Sequence, residues 1–383
     1  MAIGMLHYMS GNARAAIRML EGAGELTPDA MFALSAAYTA IGASAQGADI
    51  FLRLKTSASS YSADELLDGA DLENLKLPAM QRRNWGPHMQ LLARGDFQAY
   101  GTALFERGEL LPEYARGATF LRLRSGKRLP RWNGERVRHL AVLFADGHGD
   151  TFCFGRYLTG LRTKVGRVSA IMSRPVIALV ARAAANIECV PLDDCSAAMN
   201  AADAYADSWS LPALSSEGFG ISSWLAPSEE LAEQWQQDAP GLHVGIAWGG
   251  SNWNQADALR SIPAHMLASL LRVSGVTWHS LQLGPKAAEI PPGVIDYSRR
   301  LSDFDDTAAL MSGLDLVISV DTAVANLAAA MGHPVWVLVE RDNDFRWGLE
   351  GDTTPWFRSA RVFRQREGWL RVLRNVRVAL AES

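Results

Sequence analysis

Residues Asp315 to Glu340, DLVISVDTAVANLAAAMGHPVWVLVE, constrain the fold more than any other stretch of the chain. Leu316 to Val320 is a short apolar, β-branched run, and Asp321-Thr322 is a helix-start signal. Ala323 to Met331 is Ala-rich and helical in period; Gly332 ends it, and Pro334 prevents its continuation. Val335 to Val339 is a second apolar run. This order predicts a tight βαβ unit whose two strands are apolar enough to lie inside a parallel sheet. In open α/β sheets ligands bind outside the carboxyl ends of the strands, which is where Asp321 and Thr322 fall. A ligand site is expected there.

Ahead of this unit the chain changes character twice. From Met1 to about Gly126 most segments are Ala-rich and helical in period, with breaks at Gly24 to Pro28, Gly42 to Gly47, Ser57 to Ser62, Pro78, Gly86-Pro87 and Pro112. Gly4, His7, Ala16, Leu20, Ala23 and Pro28 fall at the spacing of a tetratricopeptide repeat; Leu34, Tyr38 and Phe51, then Trp85, Gly101 and Phe105, echo it. An α-helical, tetratricopeptide-like domain is expected over residues 1–125. Its stacked hairpins would serve either as a homodimer face or as a docking surface for a macromolecular acceptor. The basic, Pro- and Gly-containing SGKRLPRWNGER that follows is expected to be a linker over 126–136.

After it, strands and helices alternate. His139 to Phe144, Val168 to Met172 and Ile187 to Leu192 read as strands, and Thr151 to Lys164 and Pro175 to Ala185 as helices. This predicts one Rossmann-like domain over 137–238. A second, over 239–383, begins with the strand His243 to Trp248, continues through Val276 to Leu283 and contains the βαβ unit. Two such halves in tandem place a cleft between them, a common site for small ligands.

Charge and residue usage remove several function classes. The net charge of -4 is small and the Lys and Arg residues are scattered, which argues against nucleic acid as a partner and against a membrane patch. Cys153, Cys189 and Cys195 are odd in number and lack metal-ligand spacing, as expected of a reduced, cytoplasmic protein. No apolar run is long enough to span a bilayer. The histidines are dispersed, so no metal site is expected. A Walker phosphate loop, a nucleophile elbow and a full Gly-x-Gly-x-x-Gly after a strand are all missing, which disfavours ATPase, hydrolase and dehydrogenase chemistry.

Four loops that follow strands carry the chemical candidates. In Ala145 to Thr151, two glycines allow a sharp turn and Asp150 falls at a helix start. Asp150 is either a plain N-cap or a general base, with Asp146 and His148 as rival titratable groups. In Gly249 to Arg260, Gly249, Gly250 and Ser251 offer donors, and Arg260 precedes a helix start, a combination suited to phosphate oxygens. Leu281 to Lys286 ends a strand in groups able to read a nucleobase edge, though a Gly-Pro there also makes an ordinary turn. In Asp321-Thr322-Ala323, an anionic residue can accept sugar hydroxyls while free helix-start amides hold phosphate. Trp248 and Trp347 are the tryptophans best placed to stack on a sugar or base.

Taken in order, GHGDT with FGRYL downstream, GIAWGGS, LRSIP, HSLQLGP, DLVISVDTAVANLAAAMGHPVWVLV, RWGLEGDTTPWF and FRQ resemble the bacterial tetratricopeptide-repeat glycosyltransferases related to the lipopolysaccharide heptosyltransferases. The resemblance runs from about Trp132 to the C-terminus, and GDFQAYGTALFERG resembles the end of that family's repeat region. It implies a multi-domain chain, an N-terminal α-helical tetratricopeptide-like domain followed by an α/β GT-B fold of two Rossmann-like domains. It also implies inverting transfer from a nucleotide-sugar held mainly by the second domain, with no metal or other cofactor.

By position, Asp150 resembles the acidic residue of the family's Gly-x-Gly-Asp loop, the base that deprotonates the acceptor hydroxyl. Arg260 resembles the cation that neutralises the departing diphosphate. Asp321, Thr322 and Ala323 resemble the loop that grips the donor's sugar and phosphates. Gly149, Trp248, Gly249, Ser251 and Asn326 belong with that donor site, and Ser280, Leu281 and Gln282 with the edge around the base. Two positions depart from the family: Asn326 stands where it usually has His, and Leu283 where it has Lys. Asn donates a hydrogen bond but carries no charge; Lys286 lies three residues beyond Leu283. The acceptor stays open between a protein hydroxyl, a lipopolysaccharide-type glycan and a modified base in DNA, the last disfavoured because the chain has no basic stripe. The rival reading is a non-catalytic nucleotide-sugar-binding or scaffold protein whose helical domain binds a partner.

Overall fold

Apolar runs bounded by turns become parallel strands in two sheets. In the first, β3 (Val137–Leu143), β4 (Val165–Met172), β5 (Glu188–Pro191) and β6 (Ala204–Asp207) lie in the order β5-β4-β3-β6. In the second, β7 (Leu242–Ala247), β8 (Val276–Ser280), β9 (Val294–Asp296), β10 (Leu316–Val320), β11 (Val335–Val339) and β12 (Ala360–Arg364) lie in the order β12-β11-β10-β7-β8-β9. Every pairing in both sheets is parallel. Each chain path starts in mid-sheet, runs to one edge and returns to the other side of its first strand. The order therefore reverses between β3 and β6, and again between β7 and β10, and a crevice opens at the carboxyl ends of strands at such reversals.

This computed structural model describes residues 13–22, 34, 37–38, 87–100, 120–123, 125–215, 223–237, 239–250, 257–341 and 343–382. The chain divides into two compact units, 1–83 with 251–259, and 84–250 with 260–383. In the first, the helix Ala13–Glu21 buries Ile17 and Leu20, Leu34 and Ala37 are also buried, and the Tyr38 hydroxyl donates to Glu21. Most of the tetratricopeptide positions, among them Gly4, His7, Ala23, Pro28, Phe51, Trp85, Gly101 and Phe105, lie outside the described residues, as does Ser251.

Two expected boundaries are corrected. The helix Pro87–Arg94 belongs to the α/β unit, where the Leu92 carbonyl accepts the Trp356 indole N–H at 2.9 Å. Residues 126–136 are not a linker. β1 (Phe120–Arg122) and β2 (Arg128–Pro130) pair antiparallel, and Arg131 bridges to Tyr205 and forms a 2.8 Å ion pair with the buried Asp207. Trp132 is buried, with its amide donating to the Tyr205 carbonyl. Arg131 is thus docked onto β6, while Arg128 and Arg136 are exposed.

Within the α/β unit, one apolar core runs through both sheets. Val142 and Ala170 of the first sheet, Phe152 and Phe154 of the helix His148–Phe154, Leu327 and Ala328 of the helix Ala323–Ala330, and Val317 and Val337 of the second sheet all belong to it. Side chains alternate across a strand, so Leu316, Ile318 and Val320 face the opposite way, into a second core closed by the C-terminal helix Trp369–Glu382. At Gly245 in β7, side chains approach the sheet closely. A Cβ there would stand 2.6 Å from Leu281 Cδ1 and 2.8 Å from Leu314 Cδ1.

Candidate functional site

The turn after β3 is built locally. Gly147 is the N-cap of the helix His148–Phe154, and Asp150, three residues on, reaches back so that its Oδ2 accepts the Gly147 amide at 2.9 Å. An acidic residue here satisfies one of the helix's orphan donors and complements its dipole. Asp150 Oδ1 faces the second half of the unit, where it accepts from Arg346 Nη2. The flanking acid, Asp146, holds the indole N–H of Trp209, from the turn after β6, at 2.9 Å. Its carboxyl is pushed up to about 6, first by the protein packed around it and then by the charge of Asp150. His148 packs edge-on to Phe304, and this desolvation holds its imidazole below the usual range.

Arg346 comes from the loop after β11. Its side chain is only 7% exposed, lies 4.7 Å from the Phe345 ring centroid and near Phe154 and Trp209, and makes a second ion pair with Asp344 at 3.1 Å. Desolvation works against its charge, but Asp344 and then Asp150 outweigh it, so the guanidinium stays firmly protonated. Asp344 also accepts the Arg346 amide at 3.0 Å. Burial, with a further contribution from Asp321, pushes the Asp344 carboxyl up to about 6. Glu340, at the end of β11, is buried with its Oε2 unpaired. Desolvation and then the charge of Asp321 push it up to about 8, against the opposing pull of Arg260.

The turn after β10 presents a helix start. Thr322 is the N-cap, but its side chain caps no amide; its hydroxyl lies 3.0 Å from Ser319 Oγ instead. The first-turn amides of Ala323–Ala330 are therefore left without side-chain caps, as an anion receptor requires. Asp321 is buried beside this turn, within the electrostatic reach of Arg346 and Glu340. Asn326, one turn along, donates from Nδ2 to the Thr322 carbonyl at 2.9 Å and leaves its buried Oδ1 unpaired. A Cβ on Gly149 would stand 3.0 Å from Asn326 Nδ2, so the turn after β3 and the helix after β10 touch at this point. Gly149 permits that approach by having no side chain.

The loops after β7 and β8 are occupied with each other. Gln282 Oε1 accepts the Trp248 amide at 3.1 Å and the Gly249 amide at 2.8 Å. Lys286 lies across Gly249 and donates to Ser261 Oγ at 2.7 Å and to the Gly250 carbonyl at 3.3 Å. Ser280, Leu281 and Gln282, the residues expected at the nucleobase edge, lie in this region. Ser280 and Leu281 are fully buried, and Gln282 stitches two loops together. The stacking expectation fails, because Trp248 and Trp347 are 1% and 0% exposed and their rings lie in the two cores. Trp248 and Gly249 contribute backbone to this region, and Arg260 is half-buried within reach of Glu340.

The structure thus gathers Asp150, Gly149, Asp321, Thr322 and Asn326, and adds Arg346, Asp344, Glu340 and Trp209. Arg346 lies in RWGLEGDTTPWF, but its partner Asp150 is 196 residues away, a separation at which no spacing rule operates. Among the described residues no group of three or more His, Cys, Asp or Glu side chains is arranged to hold a metal ion. Nor, among them, is any helix long and apolar enough to cross a membrane.

No family model matches the chain. Protein FlbA of Caulobacter vibrioides is 32% identical over 155 residues, which cover 37% of this chain and 24% of FlbA, so the match spans about a quarter of that relative. Among solved structures, the glycosyl transferase family 9 protein from Veillonella parvula has a TM-score of 0.42 at 14% identity, covering 65% of this chain and 88% of its own. The E. coli ADP-heptose lps heptosyltransferase II gives 0.44 at 13% identity, covering 64% of this chain and 100% of its own. The O-GlcNAc transferase of Thermobaculum terrenum gives 0.41 at 13%, covering 99% of this chain and 82% of its own. At TM-scores below 0.5 these likenesses fix neither family nor activity.

Proposed function

We propose that the protein is an inverting glycosyltransferase of GT-B type that moves a sugar from a nucleotide-sugar to a hydroxyl of a protein or glycan acceptor. The observation that carries this reading is the contact of Gly149 with Asn326. It sets a carboxylate-bearing turn of one doubly wound half against an uncapped helix start of the other. Asp150 then serves as the base that takes the acceptor proton. The amides at Ala323 hold phosphate, Asp321 and the unpaired Asn326 Oδ1 accept donor hydroxyls, and Arg260 offsets charge on the departing diphosphate. One base on the face opposite the leaving group is enough for an in-line displacement, and Arg260 with helix amides supplies the charge stabilisation without a metal.

A second reading is favoured by one specific observation: both oxygens of Asp150 are already engaged, by Gly147 and Arg346. A chain in which that engagement is permanent would bind a nucleotide-sugar and not turn it over. Calorimetry and product analysis with UDP-, GDP-, ADP- and CMP-sugars, with and without chelator, separate the two. Release of nucleotide together with a glycosylated acceptor supports the enzyme; binding without turnover supports the sensor or scaffold. Loss of turnover in chelator sinks the metal-free part of the proposal alone.

A further inference from the structure

The loop that carries Arg346 is braced by a network of hydrogen bonds from Arg364, Asn343 and Thr354. Arg364, at the end of β12, donates to the carbonyls of Gly351 at 2.7 Å, Gly348 at 3.2 Å and Glu350 at 3.3 Å, to the Trp347 carbonyl, and to Asn343 Oδ1 at 2.7 Å. Asn343 in turn donates to the Asp344 and Gly348 carbonyls at 2.8 and 3.0 Å. Gly348 adopts φ +71°, where a side chain would be strained. Thr354 closes the other side by donating to the Arg346 carbonyl. The backbone on both sides of Arg346 is thereby fixed, and three aromatic rings surround its guanidinium.

From that frame Arg346 projects to one carboxylate of its own loop, Asp344, and to one carboxylate of the other half, Asp150. We propose that Arg346 is a positioning residue, a strut from the donor-side half that fixes the direction in which Asp150 presents its carboxylate to the acceptor. The inference rests on the glycosyltransferase reading. Both carboxylate partners and three aromatic rings surround the Arg346 guanidinium, and its planar fork can hold two carboxylates in fixed relation where an ammonium cannot. The base would then be correctly aimed only while the two halves are in contact, which ties proton abstraction to an assembled donor site. The engagement of Asp150 that favours a silent chain becomes, on this view, its alignment.

The test uses the full chain, with the nucleotide-sugar that supports transfer. Arg346→Lys keeps the charge and removes the planar fork, and its melting temperature is measured beside kcat. The substitution should lower kcat by about 10²-fold while the donor Kd stays within about threefold of wild type, because only the aim of the base is lost. In Arg346→Ala, millimolar guanidinium should restore turnover about tenfold or more, and the same salt should do nothing for Asp150→Asn. A kcat in Arg346→Lys within about threefold of wild type overturns the inference and leaves the enzyme reading standing. Donor affinity and melting temperature falling in step with kcat overturn it as well, since that pattern belongs to a residue needed only for folding. A wild-type chain that transfers sugar from no donor overturns both.

Discussion

The turn after β3 and the loop after β11 supply the two ends of one ion pair by opposite means. The turn is short and self-contained: Gly147, Asp150 and the first turn of a helix satisfy one another within four residues. The loop is long and depends on hydrogen bonds from Arg364, which lies 21 residues beyond Asn343 and 16 beyond Gly348. Local capping holds one oxygen of Asp150 and leaves the other to Arg346. Long-range bracing holds the backbone that carries Arg346. The difference teaches where rigidity has been placed in the candidate site, on the half expected to bind the donor.

The largest expected effect comes from breaking the turn's side of this pair. Asp150→Asn should lower transfer by about 10²- to 10⁴-fold and leave donor affinity, measured by calorimetry, nearly intact. Unchanged turnover would remove Asp150 from the role of base. Breaking the loop's side at a distance should act first on stability. Arg364→Leu strands several carbonyls and should cost about 1–3 kcal/mol in denaturant unfolding, with kcat falling further than donor affinity. An Arg364 variant as stable as wild type would show that the loop holds itself.

A third comparison is titrational. Glu340 is an acid whose folded value, about 8, is raised above the ordinary glutamate value of 4.5, so the folded state binds the proton more tightly than the unfolded state. Stability from this group is full below pH 4.5 and is lost as pH rises towards 8, by roughly a few kcal/mol. Glu340→Gln should therefore melt higher than wild type at pH 9 and show a smaller gain, or none, at pH 5. A gain of equal size at both values would mean that Glu340 is not held protonated. The smallest effect belongs to the rim: Trp209→Phe removes the indole N–H from Asp146 and should cost about 1 kcal/mol with kcat changed by less than about threefold.

How much of this was legible in the sequence follows the same division. β10 and β11 form over the residues that their apolar runs mark, because a doubly buried parallel strand leaves little choice of register. Asp150 at a helix start was legible for the same local reason. β6, AYAD, was not; its two alanines and aspartate are poor strand formers, and it exists because β3 pairs with it and Arg131 neutralises Asp207. The linker expectation failed at Trp132 because composition cannot distinguish a solvated basic stretch from one with a buried carboxylate waiting for it. In the sequence the Gln282 amide reads as a ligand contact, and nothing local shows that its oxygen accepts the loop amides of Trp248 and Gly249. Arg346 stayed hidden because nothing local in a chain announces an ion pair formed between two strand ends far apart in sequence.

The apolar core that passes through both sheets has a consequence for anyone who would recombine this chain. The segment between the halves is not a neutral seam: a Cβ on Gly313 would stand 2.4 Å from the Trp235 carbonyl, Trp224 donates to the Phe152 carbonyl at 2.9 Å, and a Cβ on Gly155 would strike the Trp224 ring. A graft that exchanges one half for that of another chain therefore inherits a mismatched joint.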